Sequence, residues 1–240
     1  MYIMERTVTY SQVGSNLTMD MAGIVNFLQD CVLAQSESIG KGVEHVAKNK
    51  RAWFLTGWQI ELDRYPKYKE NITVRTWPHD FKGLYGYRNF DILGEDGQRI
   101  VSANSIWVFM DLNSMTPTKP TEEDMEGYVL EPALDMDYAA RKIKLLPEEN
   151  RIIGGSYEID TPIRVKRSFI DSNQHVNNGR YVLEALDILD APDIRKLRVD
   201  YRKAAIFGDT LHPVCYIDDP TRQVSLNDSE GKPYVIVEIS

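Results

Sequence analysis

The residues best suited to chemistry are Asp171, Asn173 and His175, which put a carboxylate, an amide and an imidazole on alternate positions of one short stretch. A carboxylate can take a proton from water, an imidazole can orient or polarise, and an amide can hold that geometry by hydrogen bonds. Asn177, Asn178 and Gly179 follow, and then Arg180-Tyr181-Val182-Leu183-Glu184-Ala185-Leu186-Asp187-Ile188-Leu189. This segment reads as a helix: Asn is a good cap residue, and Tyr181, Val182, Ala185, Leu186 and Leu189 fall on one side. Arg180, Glu184 and Asp187 make only a narrow polar stripe, so most of the helix needs cover. Polar groups at its start face backbone N–H groups and the positive end of the macrodipole, where charge developing on a carbonyl oxygen is stabilised. The backbone of Asn177, Asn178 and Gly179 is therefore a candidate oxyanion site. The same residue types also serve as plain caps and turns, so spacing alone leaves both readings open.

Two similar runs of elements are expected to position these groups. Tyr2 to Val13 reads as a strand, followed by Gly14-Ser15-Asn16-Leu17-Thr18 and a long helix ending near Gly40. Its apolar face is Ile24, Phe27, Leu28, Cys31 and Val32, which makes Cys31 a core residue rather than a nucleophile. Trp53–Leu62, Ile72–Trp77, Leu84–Leu93 and Ile100–Asp111 are rich in aromatic and β-branched residues, and Gly94-Glu95-Asp96-Gly97 reads as a hairpin turn. Such an antiparallel sheet can wrap around the helix and bury it. Between Pro117 and Asn150, Pro117, Pro120, Pro132 and Pro147 stand among many charges, which predicts a surface connector, partly helical at most. Its basic run, Arg141-Lys142-Ile143-Lys144, reads as a solvated face. The pattern then returns, with strands over Ile159–Ile170, Leu197–Arg202, Thr210–Ile217, Gln223–Asn227 and Tyr234–Ile239, and a turn at Asp228-Ser229-Glu230-Gly231.

The halves can be laid over each other. Gly14-Ser15-Asn16-Leu17-Thr18 stands where Asp171-Ser172-Asn173-Gln174-His175 stands, and Tyr68-Lys69-Glu70-Asn71-Ile72 parallels Phe207-Gly208-Asp209-Thr210-Leu211. The order of elements supports a repeat more than the few identities do. Only the second copy keeps ionisable groups at its helix entrance, which predicts one active site and one copy left to shape a cavity.

Composition bounds the function class. In 240 residues, 42% hydrophobic and with net charge −8, a soluble globular protein with a substantial core is expected, not a general binder of nucleic acid or membrane surfaces. Cys31 and Cys215 are the only cysteines, and four scattered histidines show no ligand spacing, so neither a disulfide framework nor a metal site is implied. No apolar run approaches ~20 residues and no signal-peptide core follows Met1, so a cytoplasmic location is expected.

These residues resemble those of the acyl-ACP thioesterases, which include plant oleoyl- and palmitoyl-ACP hydrolases and shorter bacterial relatives. The resemblance rests on Asn173-Gln174-His175-Val176-Asn177-Asn178 with Tyr181 and Leu186, and on Val199-Asp200-Tyr201-Arg202-Lys203. In the first half it rests on Ala34-Gln35-Ser36 with Gly40 and on Trp58-Gln59-Ile60-Glu61-Leu62 with Tyr65-Pro66. It implies an α+β fold of tandem hotdog domains, two long helices each wrapped by an antiparallel sheet. The expected divisions are an N-terminal domain over 1–127, a linker over 128–156 and a catalytic domain over 157–240. It implies hydrolysis of the thioester joining a fatty acyl chain to acyl carrier protein, with no cofactor and no metal, and with Asp171, Asn173 and His175 as catalytic residues. The acyl chain is expected in the first half, where Met19, Met21, Ile24, Phe27, Trp53 and Trp58 are candidate linings. Where the family has an acidic residue, often followed by Cys, this chain has Ala204 and Ala205. That departure removes the cysteine of a Cys-His-Asn mechanism, and Cys215 lies too far along to replace it. Either Asp171 then suffices as base or nucleophile, or Asp200 or Asp209 substitutes, or activity is impaired.

Acyl carrier protein is acidic, so docking needs local basic groups. Arg195, Lys196 and Arg198 are the expected set, within a wider run that includes Arg164, Lys166, Arg167, Arg180, Arg202 and Lys203. Two other activities suit the same fold: a hydratase or dehydratase acting on acyl thioesters, and an acyl-ACP binding protein without turnover, for which Ala204 and Ala205 are the motive. A tandem chain is compatible with a monomer or a homodimer.

Overall fold

The computed structural model describes residues 1–152, 161–189 and 194–240. The start of a second domain expected at residue 157, and residues 159 and 160 of the strand expected up to Ile170, fall outside them. The chain divides into two compact units, Met1–Ala139 and Ala140–Ser240.

In the first unit, β1 (Tyr2–Thr7) pairs with β3 (Asn71–Lys82), followed in order by β4 (Tyr85–Leu93), β5 (Arg99–Asp111) and β2 (Arg51–Leu62), all antiparallel, with short β6 (Thr116–Pro117) on β5. Helix α1 (Met21–Ser38) begins where the Asp20 carboxylate accepts the Gly23 N–H at 2.6 Å. The expected apolar face, Ile24, Phe27, Leu28, Cys31 and Val32, is buried, and α1 packs on β3. Cys31 is core as expected: its Sγ donates to the Val74 carbonyl at 3.6 Å, and burial pushes its thiol up to about 12. Two short helices, α2 (Val43–Asn49) and α3 (Glu122–Met125), complete the unit. The first strand ends at Thr7 rather than Val13, because Thr9 opens a 3₁₀ turn in which its N–H donates to Gln12 Oε1 at 2.8 Å.

The second unit repeats this plan with shorter strands. Strand β7 (Ile163–Arg164) pairs with β9 (Thr210–Asp218), followed by β10 (Thr221–Asn227), β11 (Pro233–Ile239) and β8 (Lys196–Tyr201), again antiparallel. Helix α4 (Asn178–Leu189) buries Tyr181, Val182, Ala185, Ile188 and Leu189. The strand expected up to Ile170 is cut short by a 3₁₀ turn at Arg167–Phe169, as β1 is by the turn at Tyr10–Gln12. Each unit is thus a hotdog, a helix wrapped by an antiparallel sheet. No helix among the described residues is long and apolar enough to cross a membrane.

The repeat extends to individual hydrogen bonds. In the first unit Gly14 N donates to Thr18 O, Leu17 N to Gly14 O and Met19 N to Pro66 O. In the second, Asp171 N donates to His175 O, Gln174 N to Asp171 O and Val176 N to Ala205 O. Leu17 and Gln174 hold the same left-handed backbone, φ 59° and 64°. Lys67 N donates to Glu70 Oε2 at 2.8 Å, as Ile206 N donates to Asp209 Oδ2 at 3.0 Å. Two loops that share only Ser15/Ser172 and Asn16/Asn173 of five aligned residues therefore make the same bonds.

The connector is not a solvated surface segment throughout. Asn89, fully buried on β4, accepts the Leu134 N–H and the Tyr138 hydroxyl through Oδ1, both at 3.0 Å. Gln59 Oε1 accepts the Ala139 N–H at 2.8 Å, and its amide donates to Asp137 O at 2.5 Å. In the second unit Asp200 accepts the Ile143 N–H at 3.2 Å and Gln223 accepts the Leu146 N–H at 2.8 Å. Ile143 itself is buried, although the run around it reads as a solvated face. Buried amides and a carboxylate here supply partners for a segment with little regular structure, whose backbone groups would otherwise be unpaired. Asn89→Ala removes the acceptor of two groups and is expected to lower unfolding free energy by about 2–3 kcal/mol in urea titrations. It should also speed proteolytic cleavage between 130 and 139, and unchanged cleavage would show that the segment is held by other means.

Candidate active site

The loop between the 3₁₀ turn at Arg167–Phe169 and α4 brings Asp171, Asn173 and His175 together. Main-chain bonds shape it: Asp171 N donates to His175 O at 2.8 Å, Gln174 N to Asp171 O at 3.1 Å, and Asn177 N to Phe169 O at 2.8 Å. The Asp171 carboxylate turns inward on this loop and accepts the backbone N–H of Asn173 at 2.8 Å and of His175 at 3.4 Å. Asp171 and His175 are half-buried, whereas Asn173 is exposed. Among the described residues, neither the Asn173 amide nor the His175 imidazole makes a side-chain hydrogen bond, so both remain available to a bound group.

Of the expected oxyanion donors, the structure commits two elsewhere. Asn177 N donates to Phe169 O, and Gly179 N donates to Asn177 Oδ1 at 2.8 Å. The cause is the capping requirement of α4: an Asn that ends a tight loop and starts a helix uses its own oxygen on the first turn. Asn178 lies at the first position of α4, and its carbonyl accepts the Tyr201 hydroxyl at 3.0 Å.

Three residues outside the loop fix its position. Val176 N donates to the carbonyl of buried Ala205 at 2.9 Å, and Ala205 N donates in turn to the Tyr181 hydroxyl at 2.8 Å. Burial holds the Tyr181 phenol well above its usual range, so it stays protonated. The Asp209 carboxylate closes the turn after Ala205, accepting Ile206 N at 3.0 Å and the Tyr234 hydroxyl at 3.1 Å. Ala204, exposed beside Ala205, thus stands next to the loop at the position where the resembled family has its acid. Of the two suggested replacements, Asp200 is buried and committed to Ile143 N and the Arg202 guanidinium, while Asp209 lies in the adjoining turn. In sequence Tyr181 stood on an apolar helix face and among the residues that carry the family resemblance, and neither signal gave its bond to Ala205.

Of the other expected residues, the candidate linings belong to the first unit. Met19, Ile24, Phe27 and Trp58 are buried in the first unit, and Trp53 is half-buried there against Phe81 and Phe109. Trp58 stacks on Phe90 at 5.0 Å, and its Nε1 has no acceptor among the described residues. Arg195 and Lys196 are exposed at the start of β8, about 17 Å by strand rise from Tyr201, which marks the α4 entrance. Arg198 is tied to Glu238 at 2.6 Å and to the Ala140 carbonyl at 2.8 Å. The groups beside the loop are instead Arg167, stacked on half-exposed Phe207 at 4.5 Å, and Arg180, over Phe169 at 4.1 Å and paired with Glu184.

Two helix-and-sheet units in one chain, with an acid, an amide and an imidazole at one helix entrance only, define a tandem hotdog protein with a single candidate site. The sequence matches the acyl-ACP thioesterase N-terminal domain over residues 1–128 and the acyl-ACP thioesterase C-terminal domain over residues 156–232. The chain belongs to the acyl-ACP thioesterase family. It is 26% identical over 237 residues to oleoyl-acyl carrier protein thioesterase 2 of Arabidopsis thaliana, covering 89% of this chain and 62% of that protein. It is 25% identical over 237 residues to the palmitoyl-acyl carrier protein thioesterase of Gossypium hirsutum, covering 91% and 55%. The chain therefore spans little more than half the length of these chloroplastic relatives. Its fold is shared with an acyl-ACP thioesterase from Bacteroides thetaiotaomicron (TM-score 0.84, 24% identity, 99% of this chain and 96% of that one). It is also shared with the 12:0-ACP thioesterase from Umbellularia californica (TM-score 0.83, 17% identity, 99% and 96%).

Tyr181→Phe leaves the buried Ala205 N–H without an acceptor and is expected to cost about 1–3 kcal/mol in chemical denaturation. Tyr216→Phe, away from the loop, is the reference, and equal small losses for both would show that the Tyr181 bond does not hold the loop.

Proposed function

We propose that this protein hydrolyses the thioester of an acyl-[acyl carrier protein], releasing free fatty acid and holo-carrier. The observation that supports this most directly is the asymmetry of two loops with the same main-chain bonds: Gly14 and Thr18 stand at the α1 entrance where Asp171 and His175 stand at the α4 entrance. A loop that needed only to cap its helix has no use for the acid and the imidazole. In this reading Asp171 takes a proton from water as the oxygen attacks the carbonyl carbon, while His175 orients the water and the Asn173 amide holds the carbonyl. The carbon–sulfur bond then breaks and the thiolate leaves with a proton. Negative charge on the carbonyl oxygen is met by the N-terminal end of α4 and the Asn173 side-chain Nδ2, since the backbone amides of Asn173, Asn177 and Gly179 are already bonded.

The division of labour belongs to the same proposal: residues 1–127 take the acyl chain, with Met19, Ile24, Phe27, Trp53 and Trp58 among its contacts, 128–156 join the domains, and 157–240 carry the chemistry. A cytoplasmic setting is supported by Cys31 and Cys215, both buried thiols outside any disulfide. A second reading, a carrier-binding protein without turnover, draws on Ala204, where the resembled family has its acid. Thiol release from acyl-ACPs of graded chain length separates them. Asp171→Ala and His175→Ala are each expected to reduce release by about 10²–10⁴-fold. Carrier binding without release by the unaltered protein would favour the second reading.

Docking is proposed to use Arg195 and Lys196, which are exposed, with the long pantetheine arm spanning the distance to the loop. Replacing both with Ala is expected to raise KM severalfold for acyl-ACP and to leave KM for acyl-pantetheine unchanged. Parallel changes on both substrates would remove them from the docking surface and turn attention to Arg167 and Phe207.

A further inference from the structure

Arg88 on β4 is a cation buried between the first unit's sheet and α1, 6% exposed. Its Nη1 donates to Gln35 Oε1 on α1 and to Thr76 Oγ1 on β3 at 3.1 Å, and its Cζ lies 5.9 Å from the Tyr128 ring. These partners are neutral. Among the described residues no carboxylate lies within ion-pair distance of Arg88, and its Nε and Nη2 make no hydrogen bond. A buried guanidinium without an anion is costly, and burial pushes its pKa down to about 10.

The same unit shows how such a fork is normally filled. Arg75, on β3, places Nε 2.7 Å from Asp91 Oδ1 and Nη2 2.5 Å from Asp91 Oδ2, a two-point grip on one carboxylate. Arg88 presents the corresponding Nε and Nη2 edge with no carboxylate of the chain against it. Its neighbours are mixed: buried Ser105 stands opposite it on β5, while Phe90, two residues on along the same strand face, is fully buried and stacks on Trp58. Gln35, which anchors Arg88, lies roughly 20 Å along α1 from its first turn, at 1.5 Å per residue. A group whose stem is hydrocarbon and whose end is a carboxylate has the chemistry to meet a guanidinium fork beside the Phe90 and Trp58 rings.

We propose that Arg88 is a carboxylate-binding residue in the interior of the first unit, and that its ligand is a carboxylate carried by an aliphatic chain. The inference rests on the reading of the first unit as the acyl-binding half. Two sources share this chemistry. One is the distal carboxylate of a substrate acyl chain, which would make Arg88 a determinant of specificity for ω-carboxyacyl thioesters. The other is the carboxylate of a released fatty acid, which would make it a site of product retention.

The test compares the unaltered protein with Arg88→Lys, which keeps the charge and loses the planar fork, and with Arg88→Met, which fills the space with an apolar chain. Calorimetry with dodecanoate reads the product arm and does not depend on catalysis. Thiol release from 11-carboxyundecanoyl-pantetheine against dodecanoyl-pantetheine reads the substrate arm. Arg88-dependent binding of dodecanoate, lost at least tenfold in both variants, assigns the site to the free acid. A preference for the ω-carboxy substrate that falls at least tenfold in both variants, with dodecanoyl turnover retained, assigns it to the distal carboxylate. If both folded variants match the unaltered protein on both probes, Arg88 is a structural cation and the proposal is overturned. Absence of thiol release from every substrate overturns the hydrolase reading instead, and leaves the dodecanoate result to decide the role of Arg88.

Discussion

The arrangement depends most on one main-chain hydrogen bond, from Val176 N to Ala205 O, which joins the loop before α4 to the turn after β8. The loop's own main-chain bonds give it shape, but they do not fix it against the rest of the unit. Tying its last residue to a neighbouring turn fixes where the helix starts and therefore where Asp171 and His175 stand. The equivalent bond from Met19 N to Pro66 O does the same for α1. The geometry therefore belongs to the fold, and the chemistry belongs to the side chains placed on it. A duplicated frame can then carry Asp171 and His175 in one copy and Gly14 and Thr18 at the same places in the other without disturbing either helix.

The same economy of backbone partners explains the connector. Asn89, Gln59, Asp200 and Gln223 are polar residues inside sheets, where an unpaired group is expensive. Each is satisfied by backbone of the segment between Leu134 and Leu146. The segment gains defined bonds without forming a helix or strand, and the sheets gain partners for their polar residues. Asp200 illustrates how this bears on the site. Read along the chain it is a carboxylate near the motif, but it is held between Ile143 N and the Arg202 guanidinium and is not available as a substitute for the acid missing at Ala204.

Buried polar groups within a single unit thus fall into two kinds. Those that hold chain to chain have partners on every side, as Asn89 does. Arg88 is different, since its only partners are neutral and crowd one of its terminal nitrogens. The contrast with Arg75, which grips Asp91 through two nitrogens a strand away, marks Arg88 as a cation whose counter-charge does not come from the described chain.

Much of this was determined by sequence alone. Period and turn chemistry are local properties, so the apolar faces of α1 and α4, the long strands of the first half and the hairpin turns closed by Gly97 and Gly231 were legible, as was the trio on alternate residues of one loop. The offset between the halves was legible too, because the two segments matched by spacing make matching bonds. What only tertiary structure decided were the long-range partners. Nothing near Tyr181 in sequence announces Ala205 as its partner, and nothing in the proline-rich connector announces Asn89 or Gln223. The oxyanion donors expected at Asn177 and Gly179 were lost to a loop-closing bond on Phe169 and a capping bond on the Asn177 side chain. Arg195 and Lys196 looked close to the site because they follow its helix, but β8 runs about 17 Å by strand rise before it reaches Tyr201, which bonds the start of α4. Sequence specifies what each segment can form, and only packing decides which distant groups complete it.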